Sequence, residues 1–306
     1  GAGSAWAELS SKLGRLSLEQ VAAPAIHYAR EGFPVSPVIA RLWELGRQRL
    51  GDQPGFAEAF LRDGKAPVAG QWYQNPDQAN TLERIAATQG QDFYTGELAK
   101  RIADFSRQHG GAMDEQDLAE HRANWCGTIS HPFAQSVIHE IPPNGQGLAA
   151  LMALGIMEQA GIGQQPLDHI DTVHLSIEAM KLAFADLYEH HADLEHMIHH
   201  PEHLLDPAYL RERAALIHMD KAGDPKHGLP GPSGTVYVTA ADSSGMMVSL
   251  IQSNYMGFGS GVVVPGTGIS MQNRGHGFTL RPGHVNEVAG GKRPSHTIIP
   301  AFAMNA

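Results

Sequence analysis

Thr235 is the residue whose chemistry would change most with its surroundings. Gly234-Thr235 closes a Pro- and Gly-dense stretch, 224–234, and opens a β-rich run, 236–241. Inside a chain a Thr hydroxyl does not ionise near neutral pH and is a weak nucleophile. At a free N-terminus it carries its own base, because an α-amino group with a pKa of about 7.7–8.0 can take the hydroxyl proton and return it to a leaving amine. The loop before Thr235 would permit a cut, and Gly234 leaves room for the hydroxyl to attack the preceding carbonyl. From spacing alone the signal is weak, since Thr often starts a strand for packing reasons.

Three other patterns have a chemical and a plain reading. Gly145-Gln146-Gly147-Leu148-Ala149-Ala150 matches G-x-G-x-x-A between a strand and a helix, as dinucleotide sites do. Pro142-Pro143 intervenes, however, and no strand ending in an acidic residue follows about 20 residues on, so a tight, closely packed turn is the better reading. His196, His199, His200 and His203 have helical spacing, with His190 and His191 upstream, which could gather imidazoles on a metal. Pro201 interrupts that helix, so a polar loop is expected and no metal. Cys126 has no base in its sequence context and reads as a small buried residue.

The elements that must position this chemistry are mostly helical up to residue 234. Ser17 and Gln20 form a capping box for a helix that Pro24 should kink or restart. Helices follow at 38–50, 80–88 and 93–107, closed by Gly51, Gly90 and Gly110-Gly111. A strand at 136–141 leads to a helix at 148–158 that is apolar nearly all round and therefore buried. Another spans 172–188 with Val173, Ile177, Met180 and Phe184 on one face, and a last covers 206–217. From 235 the texture becomes β-rich. Runs 236–241 and 246–253 join through Asp242-Ser243-Ser244-Gly245, a hairpin signal. The segments 1–234 and 235–306 are thus the expected division.

Bulk properties bound the function. The 306 residues are 42% hydrophobic and 18% charged, with a net charge of -10, which fits a globular protein and argues against a nucleic-acid footprint. No apolar run reaches membrane-spanning length. One Cys excludes a disulfide within the chain and is compatible with a reducing compartment such as the cytoplasm, without fixing one. Both ends read as cut from a longer protein.

Several stretches resemble, in order, the γ-glutamyltransferase family of N-terminal-nucleophile hydrolases. They are Phe93-Tyr94-Thr95-Gly96, Pro142-Pro143-Asn144-Gly145-Gln146-Gly147 and Glu178 to Asp186, then Phe258-Gly259-Ser260-Gly261, Pro265-Gly266-Thr267-Gly268 and Gly291-Lys292-Arg293-Pro294. The resemblance implies an α+β, four-layer αββα fold, present in part. It also implies a zymogen-like precursor that cleaves itself before Thr235 and whose large and small segments stay associated. Thr235 takes the nucleophile position and Ser253 the hydroxyl that supports its amine. Tyr255, Arg274 and Gly277 stand where γ-glutamyl-specific members have Asn, Gln or Glu, and Asp, and His296-Thr297 replaces a Ser-Ser pair.

These departures point away from a glutamyl donor. Without the Asp, the partner for a substrate ammonium is gone, while Arg274 suits a carboxylate or dicarbonyl through bidentate hydrogen bonds. The pattern is closest to the branch that includes oxamate amidohydrolase, with a small-molecule substrate and no cofactor. Arg274 could instead serve a structural ion pair, and His296 could be a packed residue. The alternatives are a γ-glutamyl transferase or hydrolase, and a non-catalytic, unprocessed binding module. The family's upstream Arg-bearing segment and the downstream Gly-rich oxyanion turn would lie outside 1–306, so this stretch alone is expected to be inactive.

Overall fold

In the computed structural model, which describes residues 1–225 and 236–305, the chain forms two compact units. The first comprises Gly1–Trp125 and Met256–Asn273; the second comprises Cys126–Tyr255 and Arg274–Ala306.

Unit 1 is built from helices α1 (Ala2–Leu13), α2 (Leu18–Glu31), α3 (Pro37–Leu50), α4 (Phe56–Phe60), α5 (Pro76–Ala87), α6 (Gln91–Thr95), α7 (Glu97–Gln108) and α8 (Glu115–Glu120). Two short ladders accompany them: β1 (Phe33–Pro34) with β2 (Trp72–Tyr73), and β7 (Val263–Val264) with β8 (Ile269–Ser270). The capping box forms, with Gln20 N donating to Ser17 Oγ at 3.3 Å and Ser17 N donating to Gln20 Oε1 at 3.0 Å. Helix α2 runs on through Pro24 without the expected restart. The single helix expected at 93–107 is two. Gly96 is extended, and a β-carbon there would strike the Asp92 carboxylate. An aromatic cluster holds the unit. Trp43 stacks edge-on with Tyr73 at 4.6 Å between centroids and donates from its indole to Phe60 O at 2.9 Å, with Phe258 beside it.

Unit 2 carries the site. Antiparallel strands β3 (Ile129–Phe133), β4 (Ser136–Glu140) and β9 (Phe302–Asn305) form a sheet in the order β3-β4-β9. Helix α9 (Gly147–Gln159) packs on it and against α10 (Ile170–His190) and α12 (Pro207–Ala214); α11 (Pro201–Leu204) lies between the last two in sequence. The near-uniform apolarity of α9 is explained by burial on all sides: Leu148, Leu151, Met152 and Ile156 have no exposed surface. Each such side chain contributes roughly 1.5–3 kcal/mol. Strands β5 (Val236–Ala241) and β6 (Met247–Gln252) form the expected hairpin, in register Val236↔Gln252 to Ala241↔Met247. Its turn is closed by the Asp242 carboxylate, which accepts from Ser244 N at 2.8 Å.

Three expectations fail here. The buried stripe of α10 is Leu175, Ala179, Leu182 and Ala183; Val173, Ile177 and Met180 are exposed. Cys126 is exposed rather than buried. The last helix is shorter than expected, since it starts after its Asp206 cap and ends at Ala214. No helix among the described residues is long and apolar enough to cross a membrane.

Candidate active site

The C-terminal end of α10 and the loop that opens α9 organise the residues singled out from the sequence. Strand β4 ends at Glu140, and the loop 142–147 then turns into α9. Gly147 starts that helix because a β-carbon there would lie 2.5 Å from Glu140 Oε2. This close approach is what the Gly-rich motif encodes. Glu140 is 2% exposed, and burial pushes its carboxyl up to about 7.

The segment 294–297 lies against this loop. His296 N donates to Asn144 O at 2.8 Å, and Gln146 N donates to His296 O at 2.9 Å. Asn144 Nδ2 donates to Pro294 O at 2.7 Å. Asn286 adds a second clamp, accepting from Ser295 N at 3.2 Å and donating to Gly277 O at 2.7 Å. Backbone order at 294–297 is therefore set by groups from several distant parts of the chain.

Arg274 opens a short 3₁₀ turn, Arg274–Gly277, and is 5% exposed. Its guanidinium lies over the Tyr255 ring at 4.4 Å and donates from Nη1 to Thr297 Oγ1 at 2.8 Å. Tyr255 holds φ at +78°, a costly conformation for an aromatic residue and one that recurs at functional sites. Its amide donates to Ser253 Oγ at 2.9 Å, and its ring lies near His276, with Oη 3.4 Å from His276 Nδ1. His296 is pushed down to about 4 by burial and secondarily by the Arg274 charge, so its ring is neutral. Its Nδ1 is buried with no hydrogen-bond partner among the described residues.

Tyr255, Arg274 and Thr297 are thus brought into direct contact, and His296 sits beside Thr297 in the chain with its ring in the field of Arg274. Ser253 joins through the Tyr255 amide and follows Gln252, the residue paired with Val236 at the start of β5. Thr235 lies outside the described residues. Gly277 is packed so that a β-carbon would overlap Ser295 O. An acidic side chain at that position has no room without displacing segment 294–297.

Sequence reasoning missed His191, Ser295 and Asn286. His191 had been grouped with the His-rich stretch, whose residues do not form one helix: His196 ends a 3₁₀ turn and His200 precedes α11. Among the described residues, no group of three or more His, Cys, Asp or Glu is gathered as a metal would require.

The family model described as Gamma-glutamyltranspeptidase matches residues 1–306. The chain belongs to this family. It is 39% identical over 288 residues to the oxamate amidohydrolase proenzyme of Klebsiella pneumoniae, which covers 94% of this chain and 54% of that protein. It is 36% identical over 297 residues to the glutathione hydrolase-like YwrD proenzyme of Bacillus subtilis, covering 97% of this chain and 56% of that one. The solved structure of a cephalosporin acylase from Bacillus halodurans matches with a TM-score of 0.94 at 45% identity, over 100% of this chain and 57% of the other. The fold is the α+β, αββα type of the N-terminal-nucleophile hydrolases, as expected, and this γ-glutamyltranspeptidase-family chain spans little more than half the length of the relatives it matches.

Proposed function

We propose that the protein containing this chain is a self-processing amide hydrolase acting on a small amide that bears a carboxylate, of the oxamate kind. Arg274 carries the reading: a buried guanidinium, oriented by the Tyr255 ring and Thr297 Oγ1, with no place for an acidic side chain at Gly277. That arrangement favours an anionic substrate group over the ammonium of a glutamyl donor. The relatives' names, a proenzyme of oxamate amidohydrolase among them, support the same class.

In this reading the chain is cut before Thr235, which divides it into segments 1–234 and 235–306 that stay associated. The Thr235 hydroxyl attacks the substrate amide carbon while its own amine takes the proton. The amine hands that proton to the leaving nitrogen as the C–N bond breaks, leaving an ester on Thr235. Water then attacks the ester, its proton passes to the hydroxyl oxygen, and the acid product leaves. Ser253 supports the amine; Arg274 and Thr297 hold the carboxylate, with Tyr255 and neutral His296 shaping the pocket.

The test uses the full-length protein. Intact mass should show two chains for wild type and one for Thr235→Ala, with amide hydrolysis confined to the cut form. Wild type that stays one chain and still hydrolyses amides would refute the mechanism. Faster release of p-nitroaniline from a γ-glutamyl anilide than of ammonia from oxamate would favour a γ-glutamyl enzyme. An uncut wild type that shows no covalent labelling of Thr235 would favour a binding module.

A further inference from the structure

His191 is the residue after α10, where the chain turns extended, and its amide still donates to Leu187 O at 2.9 Å. It is 2% exposed. Both ring nitrogens are engaged: Nε2 lies 2.9 Å from Gly145 O, and Nδ1 lies 2.9 Å from Ser295 Oγ. A carbonyl oxygen only accepts, so Nε2 carries the proton. Burial pushes the imidazole down to about 4, which keeps it neutral and leaves Nδ1 to accept from the Ser295 hydroxyl. One rigid ring thus joins the loop that opens α9 to the residue beside His296 and Thr297.

A buried His with both nitrogens satisfied could serve stability alone. Its location argues for more. Thr297 Oγ1 is the acceptor for Arg274 Nη1, and it is two residues from Ser295. Ser295 also caps the packing of Gly277 through its carbonyl. A shift of Ser295 therefore moves both the Arg274 partner and the closed Gly277 position.

We propose that His191 is a positioning residue for carboxylate recognition: by tying Ser295 to Gly145 it fixes where Thr297 meets Arg274. The inference rests on the carboxylate reading of Arg274 given above.

The test uses the full-length, processed enzyme with two substrates, oxamate and its uncharged counterpart oxamide. His191→Ala and Ser295→Ala should each raise KM for oxamate about tenfold, the scale of one hydrogen bond. Turnover number should stay within about twofold, and oxamide kinetics should be unchanged. His191→Gln should recover most of the loss, because its amide can donate to Gly145 O and accept from Ser295 Oγ; Ser295→Thr should do the same by keeping the hydroxyl. If His191→Ala does not fold, Ser295→Ala carries the test, since it leaves the ring and its bond to Gly145 in place. An unchanged KM for oxamate in a processed variant, an equal loss on both substrates, or a Gln variant no better than Ala would overturn the role of His191. Wild type that does not prefer oxamate to oxamide would overturn the carboxylate reading and this inference with it.

Discussion

The β5–β6 hairpin and the segment 294–297 both bear on the proposed chemistry, and they are held in opposite ways. Every residue of β5 is exposed, and Val236, Tyr237, Met247 and Val248 present apolar surface. The hairpin is kept by its ladder and the Asp242 turn, with Tyr237 Oη 3.1 Å from Ser249 Oγ. A lone two-stranded hairpin is marginal in water. Segment 294–297 has almost no regular structure, yet Asn144, His191, Asn286 and Arg274 all grip it. The contrast teaches that the segment proposed for recognition is fixed by part-buried hydrogen bonds from distant residues, Arg274 among them, while the β5–β6 hairpin has regular structure and little burial.

The sharpest break of that contrast comes from the hairpin side. Thr235→Ala in the full-length protein should abolish both the cut and all turnover, read by intact mass and ammonia release. On the other side, Arg274→Ala should leave the cut intact and lower kcat/KM for oxamate by about 10²-fold, the upper range for a charge-assisted hydrogen bond. Equal losses on oxamide would remove Arg274 from carboxylate recognition.

Titration separates the regions next. Glu140, raised to about 7 by burial, gives stability that is full in acid and is lost as pH rises from the ordinary carboxylate value, about 4.3, towards 7. His191 and His296, both lowered to about 4, act the other way: stability falls as pH drops from the ordinary imidazole value, about 6.5, towards 4. Because the two histidines oppose Glu140 over this range, the comparison is between variants: the stability of Glu140→Gln relative to wild type, from urea midpoints, should rise from pH 5 to 7 and open a gap on the order of 2 kcal/mol by pH 7.5, while both keep the acid-side loss. A difference between Glu140→Gln and wild type that stays constant from pH 5 to 7.5 would argue against a buried Glu140. The smallest effect belongs to the exposed face of β5. Val238→Thr in this chain should shift stability by no more than about 0.5 kcal/mol, and a larger loss would mean that the hairpin is covered.

How much of this was legible follows from the range of each contact. The Ser17 capping box, the Asp242 turn and the buried helix after Gly147 depend on neighbours a few residues away, and the sequence discloses them. Gly96 was read as part of a helix because its clash with Asp92 requires coordinates. The α10 face was misread because Val173, Ile177 and Met180 are as apolar as the residues that pack, and periodicity does not tell which stripe meets a neighbour. Strand β3 was missed, with Pro132 and His131 masking its alternation. Arg274, Tyr255 and Thr297 were found by resemblance, and no local pattern announces that Arg274 meets both of the others. The bond from His191 to Ser295 spans 104 residues, and no local signal marks either end.

Tyr255 and Arg274 also stand where the chain passes out of unit 2 and back into it. The chain leaves unit 2 after Tyr255 and re-enters it at Arg274, so the excursion Met256–Asn273 begins and ends at this pair. The pair is stacked at 4.4 Å, and at the next step outward Met256 N donates to Asn273 Oδ1 at 3.1 Å. The residues proposed to read the substrate are therefore also the two chain ends from which this excursion starts and to which it returns. A side chain at either position meets the one at the other, so changes of specificity at 255 and 274 should arrive as correlated pairs.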